Sequence, residues 1–84
     1  MKIKVKKAAE QNEQVVINTD FIRLDSLLKF KGIALTGGEA KQFILDGIVK
    51  VNGEVCTARG KKIRSGDTVR IFSTNYNIVS ENEN

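Results

Sequence analysis

The dipeptide Asn52-Gly53 restricts this chain more than any other feature. Ile48-Val49-Lys50-Val51 precedes it and Glu54-Val55-Cys56-Thr57 follows it, so two stretches of two-residue period meet at residues that tolerate positive φ. A connection of that composition closes a type I′ turn, whose twist matches that of paired antiparallel strands. A β-hairpin is therefore expected there. A hairpin alone is marginal in water, so other elements of the 84-residue chain must cover its apolar face. That length suits one small domain, with no room for a separate catalytic one.

Two stretches upstream change to the helical period. Between Arg23 and Gly32 the apolar residues Leu24, Leu27 and Leu28 fall at i, i+3 and i+4, with Asp25 in the first turn and Gly32 placed as a C-terminal cap. Thr36-Gly37-Gly38-Glu39 then reads as a capping box, followed by Ala40, Phe43 and Ile44 on one face and a stop at Gly47. Both helices are too short to persist alone, so they must pack on each other and on the sheet. The expected fold class is α+β, two short packed helices against a small, mainly antiparallel sheet.

Beyond the hairpin, Gly60 and the Ser65-Gly66-Asp67 turn bracket Lys61-Lys62-Ile63-Arg64, and Thr68 to Phe72 alternates as a further strand. Lys2 to Val5 and Val15 to Ile17 are candidate edge strands, whereas residues 8–14 are polar and aperiodic and read as a connector. The expected organisation is an extension and linker over 1–20, the domain proper over 21–72, and a strand or tail over 73–84, frayed from Ser80 onward although Ile78 and Val79 can dock.

Composition removes several classes of chemistry. With no histidine and Cys56 as the only cysteine, a Cys/His metal site lacks its ligands, a Cys-His nucleophilic pair cannot form, and no intrachain disulfide exists. Cys56 lies in a strand pattern and reads as a small core or edge residue. There is neither a secretory h-region nor an apolar run of about 18 residues, so a cytoplasmic protein that does not enter membranes is expected. The acids stand singly among bases, leaving no nucleophile, base and orienting group to act together. No enzyme, no cofactor and no small-molecule substrate is expected. Gly37-Gly38 lacks the Lys-Ser or Lys-Thr pair and the βαβ setting of a nucleotide loop.

What remains is charge. The net charge is +4, and residues 21–72 hold ten Lys and Arg against five acids, which favours a polyanionic partner. Arg59, Lys61, Lys62 and Arg64 crowd into six positions with no acid among them, a repulsive arrangement unless a polyanion neutralises it. Lys41 flanks the apolar stripe of the second helix and Lys29 that of the first. Gly37 and Gly38 leave bare N–H groups at a helix start, open to a phosphate, although plain loop geometry explains them equally well. Phe21, Phe30, Phe43, Phe72 and Tyr76 mostly fall at apolar or flanking positions, so a stacking platform for single strands is poorly supported.

The ordered set Arg23-Leu24-Asp25-x-x-Leu28, Thr36-x-x-Glu39-Ala40-Lys41-x-x-Ile44, Gly47-x-Val49-x-Val51-Asn52-Gly53 and Gly66-Asp67 resembles the RNA-binding domain named after ribosomal small-subunit protein four, the alpha-L RNA-binding motif. The resemblance covers residues 21–72 and rests on the order and spacing of four motifs, each weak alone. It implies two helices on a small sheet that grip structured RNA. RNA contacts are implied for Arg23, for Thr36, Gly37 and Gly38, for Lys41, and for Lys50 beside the Asn52 turn, with Asp25 orienting the first helix. Many members carry a base directly after the capping Ser or Thr, where this chain has Gly37-Gly38, so a side-chain contact is lost or becomes a backbone contact. The chain is similar to the short stand-alone members, which implies binding without catalysis.

The leading expectation is a monomeric, ribosome-associated protein that binds ribosomal or transfer RNA through Arg23, Lys29, Lys31, Thr36, Gly37, Gly38, Lys41, Lys50, Asn52, Arg59, Lys61, Lys62 and Arg64. The alternatives are docking of the basic face on an acidic protein, with the Lys-rich N-terminal strand offered for edge pairing, and general binding of duplex DNA.

Overall fold

Alternation along the strands decides where the interior lies. In the computed structural model, which describes residues 10–81, Val49 and Val51 are buried while Lys50 between them is exposed. The strands are β1 (Gln11–Ile17), β2 (Ile22–Arg23), β3 (Val49–Val51), β4 (Glu54–Val55), β5 (Lys62–Ile63), β6 (Thr68–Ile71) and β7 (Thr74–Ser80), and the helices are α1 (Leu24–Phe30) and α2 (Gly37–Leu45). Five strands form one sheet in the order β1-β7-β6-β3-β4, and β2 and β5 form a separate two-stranded ribbon. Only the β1–β7 pair is parallel among these pairings. The α+β architecture expected from the sequence is the one observed.

Both helices end as their glycines dictate. Thr36 caps α2 by accepting the Glu39 N–H at 3.0 Å, and the Glu39 carboxylate reaches back to the Leu35 N–H at 2.7 Å, one residue beyond the usual partner in a capping box. At the end of α1, Gly32 takes φ 74. Its N–H bonds the Lys29 carbonyl and the Ile33 N–H bonds that of Leu28, the two hydrogen bonds of a Schellman motif. These stops turn Leu24, Leu27 and Leu28 of α1 and Ala40 and Ile44 of α2 onto Val49, Val51, Val69, Ile71, Tyr76 and Ile78 of the sheet. Each large aliphatic side chain buried there contributes about 1.5–3 kcal/mol. Cys56 packs at the edge of this core.

The hairpin forms as its sequence requires, with Asn52 at φ 52 and Gly53 at φ 90. Its second arm is shorter than expected. Pairing covers Glu54 and Val55 only, followed by one bond from the Cys56 N–H to the Val49 carbonyl at 3.0 Å.

Three further expectations need correction or fall outside the described residues. Gln11 to Gln14 is not a connector; it pairs in register with Thr74 to Asn77. All four side chains are exposed on an edge strand, so the segment carries no apolar period even though its backbone is held. Phe72 does not extend β6 but stands at φ 59 in the tight turn to β7, with its ring edge-on to Phe43 at 5.9 Å between centroids. A bulky residue there costs about 1–3 kcal/mol, which the aromatic contact offsets by about 0.5–1.5 kcal/mol. The candidate strand at Lys2 to Val5 lies outside the described residues.

Candidate nucleic-acid interface

The basic surface is built on the small ribbon. β2 and β5 run antiparallel, with Ile22 opposite Ile63 and Arg23 opposite Lys62. Successive strand residues face opposite ways, so Ile63 is fully buried while Arg23, Lys62 and Arg64 are exposed. Like charges facing each other across a pair of strands are destabilising, and two neighbours relieve this one.

The first is Phe21, whose ring lies 4.9 Å from the Lys62 ammonium and 5.5 Å from the Arg64 guanidinium. Each such contact contributes about 0.5–1 kcal/mol at an exposed site. The second is Asp25. Arg23 donates through Nε to its Oδ1 and through Nη2 to its Oδ2, both at 3.1 Å, and the Arg59 Nε stands 3.7 Å from the same Oδ2.

The backbone explains why these residues meet. Arg23 occupies the N-cap of α1 without a side-chain cap, so the first N–H groups need acceptors. They find them in the loop before β5: Leu24 N–H donates to the Lys61 carbonyl at 2.9 Å and Asp25 N–H to that of Arg59 at 3.1 Å. The start of α1 and the basic loop are thereby bound together. Lys61, out of phase with Lys62, borders an open groove of about 530 Å³ that Asn52 and Glu54 also line.

Asp67 secures the far side of the loop. Its carboxylate accepts the Arg64 N–H at 2.8 Å and the Asn52 side-chain N–H at 3.0 Å, while the Asn52 side-chain oxygen Oδ1 accepts the Thr68 N–H at 2.9 Å. Partial burial opposes its ionisation, but the Arg64 N–H, the Asn52 amide and the charges of Lys61 and Arg64 outweigh that and hold the carboxyl below its usual value. A depressed folded-state pKa gives stability that is present above the ordinary value of 3.8 and is lost as pH falls through the lowered one. In urea unfolding followed from pH 7 into acid, the stability gap between wild type and Asp67→Asn is expected to narrow once pH drops below 3.8. A gap independent of pH would show that the charge contributes nothing.

The other candidates are dispersed. Thr36, Gly37 and Gly38 are exposed at the start of α2, and Lys41 is exposed one residue past the buried Ala40. Neither glycine is demanded by the chain: neither has positive φ, no atom lies within 4 Å of a Cβ built on Gly37, and the nearest to one on Gly38 is the Thr36 hydroxyl at 3.9 Å. Lys29 is exposed in the last turn of α1. Lys31 pairs with Glu13 of β1 at 3.3 Å, away from the ribbon. Lys50 projects from the sheet face that the helices leave open and shares a row with Arg70, itself bonded to Glu10. Asn52 has both ends of its carboxamide engaged within the chain.

Sequence reasoning missed the part Phe21 plays and the reach of Asp25. The signal was present: Phe21 and Arg23, like Lys62 and Arg64, stand two apart, the spacing of one strand face. The loop holds no acid of its own, as its sequence shows, but Asp25 and Asp67 approach it from other elements.

The family model described as S4 domain matches residues 15–79. The chain belongs to the S4 domain family. The motif set quoted above therefore identified the family correctly. Among curated relatives, "Probable ribosome maturation protein RlbA" of Bacillus subtilis (strain 168) is 39% identical over 57 residues, 68% of this chain and 80% of the relative. "Putative RNA-binding protein YbcJ" of Escherichia coli (strain K12) is 37% identical over 59 residues, 70% of this chain and 84% of the relative. Among the described residues of this S4 domain, no cluster of acids and cysteine is placed to hold a metal ion, and no helix is long and apolar enough to cross a membrane.

Proposed function

We propose that this S4 domain protein is a cytoplasmic, monomeric and non-catalytic binder of structured RNA, with ribosomal or transfer RNA as its target and the ribosome as its place of action. The names of its relatives, one a ribosome maturation protein and one an RNA-binding protein, point the same way. One observation carries the reading: pairing of β2 with β5 sets Arg23 directly opposite Lys62 and gathers Arg59 and Arg64 beside them from a distant part of the chain. An arrangement that repels itself in the free protein becomes favourable once phosphates lie across it.

In this reading the ribbon, Arg59, Lys61 and Arg64 take the RNA backbone. Thr36, Gly37, Gly38 and Lys41 extend the contact along α2, with Lys29 at its margin. Lys50 serves a strand of RNA passing over the hairpin. Asn52 shapes the turn, and Lys31 contributes least because Glu13 already neutralises it.

Fluorescence anisotropy with an RNA hairpin and a DNA duplex of the same sequence, repeated across salt, tests the proposal. With four to six phosphates neutralised, log affinity for RNA should fall against log salt with a slope of about −3 to −5. A flat response overturns it and favours an acidic protein partner; equal slopes and affinities for DNA favour duplex binding in general.

A further inference from the structure

We infer that Asp25 is a positioning residue for RNA, whose carboxylate holds Arg23 and Arg59 side by side as two forks aimed at the RNA backbone. The inference rests on the RNA-binding reading above.

An acid within a surface meant for phosphate is adverse unless it does something the cations cannot do alone. The exposures show what that is. The Asp25 side chain is 15% exposed, whereas those of Arg23 and Arg59 are 50% and 51% exposed. The carboxylate is therefore largely covered while both arginine side chains stay half open, so RNA at this surface has more access to the arginines than to the acid.

The donor arrangement fits the same role. Arg23 turns its Nε and one Nη2 hydrogen to Asp25, which leaves the Nη1 pair and the second Nη2 hydrogen for a phosphate. Arg59 approaches through Nε, so its whole Nη fork stays available. A guanidinium offers five donors in a fixed plane, so the two-point bond to Asp25 sets the direction of the free edge of Arg23, while the ion pair at 3.7 Å draws Arg59 in beside it. Asp25 is itself fixed, because its N–H bonds the Arg59 carbonyl at 3.1 Å from the first turn of α1. Gly60 lies beside the pair: a Cβ built there would be in ordinary contact with the Arg23 guanidinium, 3.6 Å from Nη2 and 3.8 Å from Cζ.

Two models give opposite signs for one substitution. If Asp25 acts only as a charge, Asp25→Asn removes a negative group from a basic face and tightens RNA binding. If Asp25 aligns the arginines, the same change frees two long side chains that binding must then immobilise, and affinity falls about tenfold. The experiment is an RNA-hairpin titration of wild type, Asp25→Asn, Arg23→Ala/Arg59→Ala, and the triple variant, each with a thermal melt. Weaker binding by Asp25→Asn in the wild-type background, with equal or slightly tighter binding when both arginines are absent, is the expected pattern. Unchanged or tighter binding in the wild-type background overturns the inference, and so does an equal loss in both backgrounds, which marks a structural role. Should Asp25→Asn melt early, Arg23→Lys serves in its place. That variant keeps the charge but cannot make the two-point bond to Asp25, so it should also bind about tenfold more weakly, and wild-type affinity would overturn the inference. A wild-type protein without salt-sensitive RNA binding would refute the RNA reading itself and is distinguishable from all of these.

Discussion

Replacing Lys62 and Arg64 with glutamate is expected to weaken binding of structured RNA about a hundredfold and to reduce the salt slope by about two or more, at a stability loss of no more than about 2 kcal/mol. The two residues share the exposed face of the ribbon beside Arg23, so reversing them puts two negative charges among its gathered cations. The fold has reasons to tolerate this. Neither side chain is buried. The Lys62→Glu carboxylate would face Arg23 across the strands, turning a repulsive pair into an attractive one, a gain of about 0.2–1 kcal/mol. Loss of both cations from the Phe21 ring costs about 0.5–1 kcal/mol for each, so the balance is a modest loss of at most about 2 kcal/mol. Anisotropy and a thermal melt of the same preparation read both quantities. Undiminished affinity would remove the ribbon from the interface, and a collapse of the melt would make any lost binding uninformative about charge.

That separation of binding from stability bears on how the site evolved its shape. Arg23 opposite Lys62, with Arg59 close by, is worse for the isolated chain than a mixed pair would be. Asp25 and Phe21 limit the cost of the repulsion but do not abolish it, since the cations outnumber the carboxylate they share.

How much of this was legible in the sequence depended on the range over which each feature is determined. The Asn52-Gly53 turn and the Thr36 cap are set by residues a few positions apart, and they form as read. The stripe of Leu24, Leu27 and Leu28 was equally plain, because burial on one helix face repeats within two turns. Gln11 to Gln14 escaped notice because an edge strand with exposed polar side chains is specified by its neighbour's free backbone, not by its own periodicity. Phe72 looked like the last residue of an alternating run, but the register of Ile71 with Thr74 forces it into the turn.

The ribbon was the least legible element. Each of its strands has only two residues; the spacing of Phe21 with Arg23 and of Lys62 with Arg64 marks which side chains share a face, but the pairing itself depends on α1 and the core being in place. The basic residues of the site could therefore be counted from the sequence, whereas their grouping around Arg23 and Asp25 could not.

That dependence gives the second large effect, at a residue that carries no charge. Ile63 is fully buried and is the one side chain of β5 in the core. Its partner across the ribbon, Ile22, is only partly buried, so Ile63 supplies most of the hold that keeps β5 against the body of the protein. Ile63→Ala is expected to cost about 2–5 kcal/mol, a large share of the total for a domain whose folding free energy is of order 5–15 kcal/mol. Ile63→Val, which removes a single methylene, should cost about 0.5–1.5 kcal/mol. Urea midpoints give these differences. Below the melting temperature of the alanine variant, RNA affinity should also fall, although every cation remains, because Lys62 and Arg64 are aligned with Arg23 only while β5 stays paired. The valine variant should bind as wild type does. Wild-type affinity in folded Ile63→Ala would mean that RNA senses the number of charges and not their placement, and the ribbon would then lose its claim to be the recognition element.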